Sequence, residues 1–218
     1  MATVKEKMTA IADAIREKTG GTEPLTLDNI ATDIQSVYDI GKQTRYDEFW
    51  DDYQSNGERR IYTRAFQGSC WTDKTFNPKY DIIATSAQAT FHTNVNITRI
   101  PVLVDVSEST VVSQLFYGCS NLAELNLKTS ENTPWITGGF QACVELSTLN
   151  IEGVIGTNGF DVHWSAKLTH ESLMSIINAL KDYSGSGMAY TVTLGTTNLA
   201  KLTDEEKAIA TQKGWTLA

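Results

Sequence analysis

The sequence predicts an α+β fold in two parts: a helical module over residues 1–56, then a strand-rich domain over residues 57–218 that closes in a helix/strand cap from about residue 165. Three observations predict it. Apolar residues fall at helical spacing near the start, short apolar runs recur at a fixed interval in the middle, and ordinary helix and strand signals punctuate the end. The length of 218 residues suits one larger domain with a smaller appendage, since domains run to roughly 150 residues. With 41% hydrophobic and 20% charged residues the chain reads as globular, because a disordered chain would be more charged and a membrane protein more apolar. A net charge of −8 argues against a protein whose affinity comes from neutralising nucleic acid phosphates. No run approaches the roughly 18 apolar residues that a membrane span needs. The start Met1-Ala2-Thr3-Val4-Lys5-Glu6 lacks the apolar stretch of a secretory signal, so export by that route is not expected.

In the first part, Val4, Met8, Ile11, Ala12 and Ile15 share one helical face and Lys18-Thr19-Gly20-Gly21 supplies the stop, which predicts a helix over about residues 3–18. A second stripe, Leu27, Ile30, Ile34 and Val37, follows Thr26 or Asp28 as a cap. A third, Tyr46, Phe49, Trp50 and Tyr53, ends at Ser55-Asn56-Gly57. Three helices this short build little core alone. The module therefore either buries its stripe against copies of itself or a partner, as an attachment piece, or caps the domain that follows.

In the second part the sequence repeats. Phe116-Tyr-Gly-Cys119-Ser-Asn-Leu122-Ala-Glu-Leu125-Asn126-Leu127 matches Phe140-Gln-Ala-Cys143-Val-Glu-Leu146-Ser-Thr-Leu149-Asn150-Ile151 at an offset of 24 residues. One unit earlier and 25 residues away, Phe91 leads to Ile97, Ile100 and Val102, with Asn94 at the cysteine position. Phe66 opens a degenerate first unit, with Tyr80, Ile82 and Ile83 as its delayed strand. A period of about 20–29 residues carrying LxxLxL is the signature of leucine-rich repeats, in which stacked units align their Phe, Leu and Ile residues in interior ladders. The expected architecture is thus a short leucine-rich-repeat solenoid. Three cysteines, Cys70, Cys119 and Cys143, make neither an even framework nor a CxxC pair and read as buried reduced thiols.

At the end, Leu173, Ile176, Ile177 and Leu180 mark a helix that Thr169 can cap, and Ser184-Gly185-Ser186-Gly187 ends it. Tyr190-Thr-Val192-Thr-Leu194 alternates as a strand. Thr203 and Glu206 form a capping box for a last helix, with Lys213 at its negative end, and Trp215-Thr-Leu217 can add a final strand.

The segments FYGCSNLAELNL and FQACVELSTLNI, within residues 60–160, resemble the BspA-like class of leucine-rich repeats. The opening KMTAIADAIREKTGGTEPLTLDNIATDI, with YDEFWDDYQSNG, and the closing LTHESLMSIINALKDYSGSG and TLGTTNLAKLTDEEKAIATQKGWTLA resemble tail-associated minor structural proteins of phages and prophages of Gram-positive bacteria. The resemblance implies a virion or tail component, made in the bacterial cytoplasm. It implies that residues 1–56 contact other tail subunits, that the chain forms a homo-oligomer, and that the repeats bind a host-surface glycan or protein. Two other readings stay open: a purely architectural particle protein whose repeats pack against neighbouring subunits, and a bacterial surface adhesin.

Enzymatic chemistry finds little footing. Asp161, His163, His170, Glu171 and Ser165 would sketch a hydrolase, but no GxSxG elbow accompanies them, and Asp161 to Trp164 reads first as a strand with polar residues outward. The cysteines with His92, His163 and His170 lack zinc-ligand spacing, and the glycine pairs lack the Lys-Ser/Thr of a phosphate loop. No catalytic residue, metal or cofactor is expected. The sequon Asn96-Ile97-Thr98 carries no meaning in a bacterial or phage product. Binding has more support. The polar, turn-rich stretch from Thr129 to Gly139 should lie on the surface, which makes Trp135 the first candidate contact residue, either exposed there or folded back over a rung. Trp71, His163 and Trp164 follow, each open to a packing role instead. Aromatic side chains beside Asn, Asp and Thr suit glycans, because a ring face packs on apolar sugar edges while polar neighbours bond hydroxyls.

Overall fold

Helix α1, Val4–Thr19, ends where its sequence supplies a stop: Gly20 takes φ +67° and its N–H donates to Arg16 O at 2.9 Å. Its last turns bury Ile15 but leave Ile11 about half exposed, so the expected single apolar face is incomplete. The structure, a computed structural model, describes residues 4–20, 60–61, 64–68, 71–73, 76–136 and 138–218. The chain divides into two units, Met1–Ser55 and Asn56–Ala218. The second and third predicted helices and Cys70 lie outside the described residues.

In the second unit, five strands pair in the order β1 (Arg60–Ile61), β2 (Ile82–Ala84), β4 (Arg99–Asp105), β6 (Glu124–Thr129) and β7 (Thr148–Gly153). A second sheet pairs β3 (Ala87–Gln88) with β5 (Val112–Ser113), and a third pairs β8 (Tyr190–Val192) with β9 (Trp215–Leu217). Every described strand pair is parallel. The chain is therefore α/β with parallel sheets, which corrects the α+β class expected from the sequence; a leucine-rich-repeat solenoid is not shown by these residues. The physical reason lies in the connections. Units that each begin in the same sense must cross back before the next strand, and strands joined by crossovers run parallel, whereas the α+β expectation weighs only the segregation of helical from strand-like segments.

The offset between units is kept as register. Leu125, Asn126 and Leu127 face Leu149, Asn150 and Ile151, and Asn150 donates through Nδ2 to Asn126 Oδ1 at 2.9 Å. Between β4 and β6 the register slips: Arg99 faces Glu124, but Val104 rather than Val102 faces Leu127. Two extra residues are absorbed there as a bulge beside Pro101, so the buried ladder residue is Val104 and Val102 is left half-buried.

Five phenylalanines form the centre of the core. Phe66, Phe91, Phe116, Phe140 and Phe160 are all buried and follow one another with ring centroids 5.1, 5.2, 5.5 and 5.5 Å apart. Asn94, Cys119 and Cys143 line a second column and play the same part in it. Asn94 Nδ2, Cys119 Sγ and Cys143 Sγ donate to the carbonyls of Phe66, Phe91 and Phe116 at 3.1, 3.0 and 3.0 Å. Ser165 continues the column, its Oγ donating to Cys143 O at 3.0 Å. Cysteine here is a small apolar donor that satisfies a buried carbonyl.

Burial pushes the Cys119 thiol up to about 12 and raises that of Cys143 as well, so both stay protonated at neutral pH. In a Cys70→Ser chain, iodoacetamide is therefore expected to modify neither thiol under native conditions and both after denaturation. Labelling of the folded chain at the rate of a free thiol would show that these turns open readily.

The last strand of the large sheet does not end in solvent. Helix α2, His170–Ala179, capped by Thr169, lies along it, and Ser172 Oγ and Ser175 Oγ accept the N–H groups of Leu149 and Ile151 at 2.9 and 2.8 Å. The hydroxyls stand where the carbonyls of a further strand would stand. Helix α3, Thr196–Leu199, and helix α4, Asp204–Gln212, follow, the latter opened by the predicted capping box of Thr203 and Glu206. Lys213 follows α4, but its ammonium serves α2 by donating to the carbonyls of Ile177 and Asn178 at 3.1 and 2.9 Å.

Candidate functional site

Of the candidate contact residues, Trp135 is the clearest correction. It is only 6% exposed, forms a parallel bridge with Val112, stacks on Phe140 at 6.0 Å and meets the edge of Phe160 at 4.8 Å. The stretch from Thr129 to Gly139 is polar and turn-rich, yet Trp135 sits in a strand-like element rather than a free loop. Later backbone packs against it so closely that a Cβ at Gly159 would stand 2.2 Å from Trp135 O. Trp71 is 9% exposed and packs edge-on against Phe66 and Phe76. Both tryptophans are core residues.

His163 and Trp164 are placed differently. Phe160, Val162 and Ser165 point inward and are buried, while Asp161, His163 and Trp164 lie outside the core. Two backbone bonds hold the segment, Val162 N–H to Thr193 O at 2.9 Å and Thr193 N–H to Phe160 O at 3.1 Å. Trp164 is 45% exposed, whereas Trp71, Trp135 and Trp215 are buried. Its ring lies 5.2 Å from that of His163. Asp161 Oδ1 accepts both the His163 backbone N–H at 3.0 Å and the ring Nδ1–H at 2.6 Å. That bond fixes the imidazole and leaves Nε2 as its remaining polar atom. Gly195, at φ +82°, lets a neighbouring turn approach: a Cβ there would sit 2.9 Å from His163 Cβ. The arrangement is a pinned aromatic surface bearing one carboxylate and one imidazole.

Of the residues of the sketched hydrolase, Asp161 and His163 pair while Ser165 and His170 are engaged elsewhere. Ser165 is buried with its hydroxyl committed to Cys143 O, and His170 Nε2 lies 2.7 Å from Glu206 Oε1, tying α2 to α4. Among the described residues, no group of three or more His, Cys, Asp or Glu side chains is placed to hold a metal ion. None of the described helices is long and apolar enough to cross a membrane. Asp161 and Gly195 are the members that sequence reasoning misses as parts of a contact surface. Asp161 is legible as a polar residue two positions before His163, the spacing at which a side-chain carboxylate bonds backbone N–H. Gly195 gives no local signal, because its role is set by a neighbour 32 residues away in sequence. The chain matches no protein-family model, no curated protein and no solved structure.

Proposed function

We propose that the chain is a non-enzymatic, virion- or tail-associated phage or prophage protein whose second unit binds a receptor on the host surface. In this reading residues 1–56 join it to other virion subunits and the assembled copies form a homo-oligomer, so that several weak contacts add. The observation that carries the receptor-binding part is the half-exposed Trp164 beside a histidine that Asp161 holds in place. Fixed aromatic side chains supply contact area at low entropic cost.

The test is saturable binding of the labelled full-length chain to intact cells of candidate Gram-positive hosts. Trp164→Ala is expected to weaken binding at least tenfold, about 1.4 kcal/mol, with the melting temperature unchanged because the side chain is not core. Trp164→Ala binding as tightly as the parent would remove this site from the reading. Absence of saturable binding to any host that the particle infects would favour an architectural protein whose surfaces are covered by neighbouring subunits.

A further inference from the structure

A second surface row is built by the turns that follow the phenylalanine column. Gln67, His92, Tyr117 and Gln141 each come one residue after Phe66, Phe91, Phe116 and Phe140, outside the core; Gln67 is exposed and the other three are half-buried. We propose that this row binds an extended, uncharged glycan chain.

The row is rigid before any ligand arrives. Each member closes a turn whose first residue is left-handed: Arg64, Ala89, Gln114 and Gly138 have φ +65°, +54°, +52° and +74°. Non-glycine residues rarely adopt that conformation, and the surroundings here enforce it three times in succession. The carbonyls of His92, Tyr117 and Gln141 then accept N–H groups of the preceding unit, from Gly68, Thr93 and Gly118, at 2.9, 2.6 and 2.9 Å. Fixed backbones set the four residues on successive turns, and the rings of His92 and Tyr117 lie 4.9 Å apart and within 9° of parallel. A site ordered in advance loses little entropy on binding.

The chemistry presented is that of a hydroxyl-rich, neutral partner. Thr93 Oγ1 donates to His92 O at 2.8 Å and lies 3.3 Å from His92 Nδ1. With Nδ1 engaged by Thr93, Nε2 is the ring nitrogen that can hydrogen-bond a ligand hydroxyl. Amides of Gln67 and Gln141 both donate and accept, as sugar hydroxyls do, and the aromatic pair offers apolar surface to sugar C–H groups. Gly138 lies between two members of the row: a Cβ there would stand 3.4 Å from Gln141 Oε1 and 3.7 Å from Tyr117 Cδ2. No carboxylate belongs to the row, and a chain of net charge −8 repels anionic polymers. Regular spacing along four turns suits an extended chain rather than a single sugar.

The row is a site separate from Trp164 and goes beyond the receptor-binding reading, on which it rests only for where the glycan resides. The test titrates the full-length chain with cellohexaose, chitohexaose and maltohexaose, and with a Ser/Thr-rich decapeptide as the alternative extended ligand. At least one hexasaccharide should bind saturably. Its affinity should fall tenfold or more in Tyr117→Ala and in His92→Ala, survive in Tyr117→Phe, and be unaffected by Trp164→Ala. Far-UV circular dichroism and thermal unfolding establish that each variant is folded, and His92→Ala serves if Tyr117→Ala is not. Binding of none of the hexasaccharides, binding of the decapeptide instead, or glycan binding indifferent to His92→Ala and Tyr117→Ala overturns the proposal. Cell binding abolished by Trp164→Ala while hexasaccharide binding persists would separate the two sites. Hexasaccharide binding with no cell binding would reject the receptor reading alone.

Discussion

Gly156→Ala is expected to cost about 3 kcal/mol of folding stability, a fall in Tm of roughly 6–12 °C for a chain of this size. The added Cβ would stand 2.2 Å from Glu131 O, 2.6 Å from its Cα and 2.8 Å from its carbonyl carbon, all backbone atoms that no rotamer change can move aside. Gly156 does not need a left-handed conformation, so the loss would report close approach alone. Gly185→Ala is the complement. Gly185 has φ +76° but nothing within 4 Å of the new Cβ, so only conformational strain applies, about 1 kcal/mol. Denaturant unfolding of both variants measures the contrast. Equal losses would mean that backbone conformation, not the contact between the two chain segments, dictates glycine at Gly156.

Phe116→Ala should cost about 3–5 kcal/mol of folding stability. Phe116 is fully buried and stands mid-column, stacked on Phe91 at 5.2 Å and on Phe140 at 5.5 Å. Its removal deletes two aromatic contacts, each worth roughly 0.5–1.5 kcal/mol beyond area, and leaves a void between rings whose backbones are fixed by cross-unit hydrogen bonds. The adjacent Tyr117→Ala, one residue along and facing outward, should cost about 1 kcal/mol or less. Unfolding by denaturant separates the two, and a small loss at Phe116 would show that neighbouring rings can collapse into the gap.

Much of the internal order can be read from residue spacing. The 24-residue offset between the two best-matched segments reappears as pairing of Leu125 with Leu149 and Asn126 with Asn150, because closely similar units align in register. Thr169, Thr203 and Glu206 cap as their sequence predicts, since a cap needs only residues three apart. What spacing misses depends on long-range geometry. The α+β class overlooks the parallel direction of the strands, a property of connections rather than of segments. The polar neighbours of Trp135 suggest a surface residue, but its exposure is decided by Phe140, Phe160 and Val112, which reach it only through folding. Counting from Phe91 points to Val102, and a bulge moves the buried place to Val104. His163 and Trp164 lie outside the core because their segment turns Val162 and Ser165 inward, while their arrangement follows from Asp161 and Gly195.

The serine hydroxyls of α2 on Leu149 and Ile151 give the molecule a direction. Ser172 and Ser175 fall on alternate N–H groups of one particular strand, so the helix is a terminator matched to that strand and not a generic cover. Without that helix the N–H groups of Leu149 and Ile151 would stand as an open strand edge on which another chain could pair.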